Sequence, residues 1–174
     1  MDFAALSWAV PLAVGVVTYA VTQFREVSLG RAEMVRSYTC DFYGDPAIID
    51  LFTDLDYDRF TFVDDQTTWL GQKPEQTLVH MLDIFNSVGH SCQRHIIRDT
   101  DIQGTTLGYA IVRAYGSSEV RKYLAHVQRW DQEHLGTGIP FQYFQELAVR
   151  LERRSAMTRQ KNADRSAIVG DATG

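Results

Sequence analysis

The sequence predicts an all-α protein, with a single N-terminal transmembrane helix followed by a compact helical domain of about six helices. Three observations predict it. Phe3–Phe24 is a run of 22 residues without a single charge. Apolar residues from Ser28 onward recur at helical spacings of three and four, and only Phe60–Val63 reads as extended, with no partner strand in view. The organisation that follows is an anchor over residues 1–27, a helical domain over 28–154 and a disordered tail over 155–174. The full 174 residues have room for one core and not for two.

The first element is the strongest. As a helix Phe3–Phe24 would rise about 33 Å, against a hydrocarbon core of about 30 Å. Trp8 near one end and Tyr19 with Phe24 near the other suit the two interfaces, and Pro11 lies early enough to bend the helix without breaking it. Thr18-Tyr19-Ala20 resembles a signal-peptide cleavage site, but the leading Met1-Asp2 lacks the usual positive residue and the run is too long. Arg25, Arg31 and Arg36 follow the run while only Asp2 precedes it, so the positive-inside bias places the rest of the chain in the cytoplasm, tethered to the inner membrane. Two distant thiols, Cys40 and Cys92, suit a reducing compartment. Ala5, Ala9 and Ala13 fall at i, i+4 and i+8, a small-residue face through which two anchors could pair as a homo-oligomer.

Ser28–Tyr43 carries Val35, Tyr38 and Phe42 on one stripe and stops at Gly44, read as a left-handed cap. Asp45-Pro46 is N-cap and N1 of a helix with Ile48, Leu51, Phe52 and Leu55 inward. Pro74 opens a long helix through Leu78, Leu82, Phe85, Gly89, Cys92 and Ile96, where Gly89 reads as a close helix–helix contact. Asp101 is the expected cap of the next helix, with Leu107, Ile111 and Ala114 aligned. Ser117 caps another, whose broad face runs from Val120 through Tyr123, Leu124, Val127 and Trp130 to His134. Gly136 and Gly138 release the chain, and Pro140 starts a last helix with Phe141, Phe144, Leu147, Ala148 and Leu151 inward. From Ser155 the chain is polar and aperiodic, the basis for expecting disorder.

Several strings, Arg31-Ala-Glu-Met-Val-Arg-Ser-Tyr38, Leu107-Gly-Tyr-Ala-Ile-Val-Arg-Ala-Tyr115, Glu119-Val-Arg-Lys-Tyr-Leu124 and Phe144-Gln-Glu-Leu-Ala148, together with the Asp45-Pro46 helix start, carry a family likeness over residues 25–154. In these the chain resembles an uncharacterised bacterial family of membrane-anchored helical domains. That resemblance implies a tethered helical domain of bacterial origin and no catalytic residues.

The chemistry-bearing residues are sparse. The net charge of −5 argues against a nucleic-acid partner. Asp41, Asp45, Asp50, Asp54, Asp56, Asp58, Asp64 and Asp65 stand against Arg59 alone, a local charge of −7 that offers an interaction surface for an unknown protein partner. Asp54, Asp56 and Asp58 are weak candidates for a hard cation, since an EF-hand register starting at Asp54 would put Arg59 where Gly is needed and Asp65 where Glu is needed. His90, Cys92 and His95 have zinc-compatible types but a spacing that scatters them around a helix. His80 and Asp83 could pair at i, i+3 as base and orienter. Arg150, Arg153, Arg154, Arg159 and Lys161 form a basic stretch able to touch anionic headgroups. No nucleophile elbow, phosphate loop or dinucleotide fingerprint occurs, and no cofactor is implied.

The function expected from these observations is a non-enzymatic, membrane-tethered interaction or regulatory module. The alternatives are a metal-assisted hydrolase using the Asp54, Asp56 and Asp58 acids, or a membrane-associated phage-defence effector.

Overall fold

A computed structural model of the chain describes the backbone of residues 3–64, 69–136 and 138–171, and the side chains of residue 19 and of 21–64, 69–136 and 138–161. The protein is all-α. The described helices are α1 (Phe3–Gly44), α2 (Pro46–Asp56), α3 (Lys73–Gln93), α4 (Asp99–Ile102), α5 (Thr106–Gly116), α6 (Ser118–His134) and α7 (Gln142–Asp171). Residues 60–64 run as an irregular segment, and no strand occurs among the described residues.

The long central pair is α3 and α7, and the approach between them depends on Gly89. A Cβ at Gly89 would collide with the backbone of Tyr143, so the sequence reading of this glycine as a close contact holds. Around that contact three rings bind three helices together. Phe42 of α1 stacks on Phe85 of α3 at 5.3 Å, and Phe85 stacks on Phe144 of α7 at 5.7 Å. All three rings are fully buried. Each contributes about 1.5–3 kcal/mol through the apolar surface it removes from water.

Most helix starts have the chemistry expected of them. Asp45 caps α2, accepting from the Ala47 N–H at 2.9 Å, with Pro46 at N1. The Ser117 hydroxyl accepts from the Val120 N–H at the start of α6. Gly136 and Gly138 take positive φ after α6, where the chain turns toward α7.

Four expectations are corrected. α1 does not divide near Ser28, because Arg25–Glu33 contains good helix formers and only Gly30 opposes them, at a cost of about 1 kcal/mol. Gly44 ends α1 without the left-handed conformation, which Gly71, Gly104, Gly136 and Gly138 adopt instead. The cap of α5 is Thr105, whose hydroxyl accepts from the Gly108 N–H at 3.1 Å, whereas Asp101 belongs to the short α4 and accepts from the Arg98 N–H. α7 continues past Ser155 to Asp171, since Ala, Met, Arg, Gln and Lys sustain a helix by propensity without an apolar stripe.

Among the described residues, no helix is long and apolar enough to cross a membrane. The predicted span falls largely on residues 3–18 and 20, whose side chains lie outside those described, and so do Ala5, Ala9 and Ala13.

Candidate functional site

The irregular segment after α2 builds one wall of a groove. Phe62 packs edge-on against Trp69 at 5.0 Å and against Tyr123 of α6 at 5.6 Å, and Trp69 meets Tyr123 at 5.4 Å. This aromatic cluster substitutes for the missing strand pairing. The Phe62 N–H donates to the Glu119 carboxylate at 3.1 Å, and Lys122 donates to the same carboxylate at 2.7 Å. Lys122 first, then the Phe62 N–H, hold the Glu119 carboxyl below its ordinary value.

Beside the cluster opens a groove of about 540 Å³, lined by Asp64, Leu70, Glu75, Tyr123, His126 and Trp130 among others. Glu75 sits in the first turn of α3, where a carboxylate suits the helix dipole. It accepts from the Gly71 N–H and from the Tyr123 hydroxyl, the latter at 3.0 Å. Gly71 can make that turn because it takes a φ of 75°. Burial pushes the Tyr123 phenol above its usual value, and the nearby Glu75 and Asp83 carboxylates push the same way. Glu75 and Asp64 bring two carboxylates to the groove. Across it, the His126 Nδ1 lies 3.4 Å from Asp64. Trp130 is 49% exposed and stacks on His134 at 4.8 Å, leaving much of the indole open to a ligand.

The acids singled out from sequence are placed unequally. Asp54 pairs with Arg59 at 3.0 Å. Asp56 and Asp58 converge on Arg113 of α5, at 3.1 Å and 2.8 Å, and Asp56 also accepts from the Tyr109 hydroxyl. The Arg113 guanidinium further donates to the Asp56 carbonyl at 2.7 Å, closing the end of α2. The Arg113 guanidinium thus engages two of the three acids and Arg59 the third, and no group of three or more metal-ligating side chains occurs among the described residues. Asp45 has its capping role and lies 3.6 Å from His80, while Asp41 and Asp50 are exposed. Asp64 joins the groove, and Asp65 lies outside the described residues.

The remaining candidates are not brought together. Cys92 is buried, and desolvation first, with Asp99 beside it, pushes its thiol up to about 12. His90 leans on the Tyr143 ring at 4.9 Å, and His95 is exposed with a φ of 59°. His80 faces Asp45 and not Asp83; the Asp83 carboxyl is raised by desolvation, with His80 opposing. Arg150 donates to Asp99 at 3.0 Å, and Arg154 lies 3.7 Å from the same carboxylate.

Sequence reasoning missed the groove and the role of Arg113. The available signal was the aromatic density of Phe60, Phe62 and Trp69 in a stretch with no helical period, since such rings need a packing partner. No family model, curated protein or solved structure matches the chain, so the groove's meaning rests on its own chemistry.

Proposed function

We propose that the chain is a membrane-tethered helical interaction module. In this reading Phe3–Phe24 is a single-span anchor at the cytoplasmic membrane, the helical domain lies in the cytoplasm, and the groove beside α6 receives a basic protein partner. The observation that carries it is the groove itself, where the Asp64 and Glu75 carboxylates and the half-exposed Trp130 indole surround one cleft. A Lys or Arg side chain satisfies both features, through ion pairing with the acids and cation–π contact with the indole. The anchor is supported by the uncharged run and by the arginines after it.

The test titrates the full chain in detergent with a Lys- and Arg-rich peptide. Binding should weaken with salt and should fall about fivefold or more in Trp130→Ala, the loss of one desolvated cation–π contact. Asp64→Asn should fall similarly without moving Tm by more than about 1 °C, because its side chain is 61% exposed. Equal binding by wild type and both variants would remove the groove from the proposal. Release of the chain from membranes by carbonate would remove the anchor.

A further inference from the structure

We infer that the end of the bundle from which α1 and α7 depart is a docking face for anionic lipid headgroups. The inference rests on the anchor reading and adds what the anchored domain does at the bilayer surface.

Both departing helices can be traced to one end. Phe42 of α1 stacks on Phe85, and the Tyr38 hydroxyl meets the Ser91 hydroxyl at 2.8 Å, so α1 runs antiparallel to α3. Going back along α1 toward Arg31 therefore leads past the C-terminal end of α3. α7 leaves the same way, with Phe144 on Phe85 and, further on, Arg150 on Asp99 beyond the end of α3. The short α4 contacts α1 and α7 alike.

That end is basic in an acidic protein. Residues 25–36, 94–101 and 150–161 bring ten cations against five acids, while the whole chain carries −5. Two of the acids are already engaged, Asp99 by Arg150 and Arg154 and Asp101 by the Arg98 N–H. Arg94, Arg98, Arg153 and Lys161 are exposed and have no acidic side-chain partner among the described residues. Ile96 and Met157, 48% and 70% exposed, stand among them as apolar groups able to enter the headgroup layer.

The dimensions agree. α1 rises about 10 Å from Arg31 to Phe24, where the apolar run ends, and α7 rises about 12 Å from Arg153 to Lys161. Along their own axes the α7 cations thus extend about as far past Arg153 as Phe24 lies past Arg31. Each Lys or Arg held near an anionic surface strengthens docking about fivefold. The groove, by contrast, includes Glu75 from the first turn of α3, at the opposite end of that helix. Docking through the basic end turns the groove toward the cytoplasm. Continuity with the apolar run favours lipid over nucleic acid as the source of the phosphates.

The test uses the full chain carrying Cys40→Ser and Met157→Cys, labelled at the new thiol with an environment-sensitive fluorophore; Cys92 is buried and stays unlabelled. The chain is reconstituted into vesicles of phosphatidylcholine alone or with about 30% phosphatidylglycerol. The expected result is carbonate-resistant insertion in both, with acrylamide quenching about fivefold lower in the anionic vesicles and restored by about 0.5 M salt. Arg153→Gln with Arg159→Gln and Lys161→Gln should abolish that protection. Equal quenching of an inserted chain in both vesicles overturns the docking face and leaves the anchor standing. Protection that survives in the triple variant overturns the assignment to the α7 cations. Extraction from both vesicles overturns the anchor and the docking face together.

Discussion

The carboxylates at the end of α2 and those of the groove come from neighbouring stretches of the chain, residues 56–58 and 64–75, yet they face different partners. Asp56 and Asp58 close on the Arg113 guanidinium, which is only 25% exposed, and the result is a clasp between α2 and α5. Asp64 and Glu75 face an imidazole, a phenol and an indole around an open cleft. Neutralised acids hold a fold together, whereas acids bordered by aromatic rings keep a field available to an incoming cation. Asp64 shares its Asp-rich stretch with Asp56 and Asp58, so the density of Asp in the sequence cannot separate the two settings.

The difference is tested first by removing the clasp. Arg113→Leu leaves the two carboxylates without their guanidinium and should cost about 2 kcal/mol, lowering Tm by roughly 4–8 °C in thermal melts. A shift under about 1 °C would show that solvent screens the clasp as it does an ordinary surface pair.

Alkali should reveal the buried side of the same contrast. The Cys92 thiol is held protonated up to about 12, against 9.0 when unperturbed, and the Tyr123 phenol is also raised. Above pH about 9 the unfolded chain gives up protons that the native chain retains, so stability is intact below that pH and falls as pH rises, by about 1 kcal/mol per unit. Melts from neutral pH into the alkaline range should show this loss, and Cys92→Ala should reduce it, leaving the Tyr123 part. A Tm flat to about pH 11 would contradict the burial of both groups.

The mildest structural test is the triple change of Asp54, Asp56 and Asp58 to Asn. Eight acids within residues 41–65 repel one another, and on that ground alone the substitution should keep or raise stability. The structure reverses the sign, because Arg113 and Arg59 lose their charged partners while Asn retains some hydrogen bonding. Tm should drop by about 2–4 °C, discounted for the 80% exposure of Asp58. A raised Tm would restore the repulsion argument.

Much of the fold was legible because its determinants are local. The stripe from Leu78 to Cys92, the Asp45-Pro46 start, the Ser117 cap and the small residue at Gly89 are each short-range patterns with one physical meaning. The clasp and the groove were not legible. Arg113 lies 57 residues from Asp56, and Glu75 lies 48 from Tyr123, and no periodicity reports a pairing at such a distance. Thr105 and Asp101 are both cap-forming types, and only the short α4, invisible to periodicity, distinguishes them. The buried face of α6 is narrower than its stripe, since Trp130 and His134 continue the stripe but are exposed and stack on each other.

The unbroken course of α1 has a mechanical consequence. A helix that passes without a joint from the apolar run into the ring stack of Phe42, Phe85 and Phe144 sets both the height and the azimuth of everything packed on it. Each residue added between Phe24 and Arg31 would raise the bundle by about 1.5 Å and rotate it by about 100°. One or two added residues would swing the α7 cations around the axis, whereas seven would return them close to their starting azimuth about 10 Å higher. The segment that looks like a mere connection is thus a gauge, and its length encodes direction as well as distance.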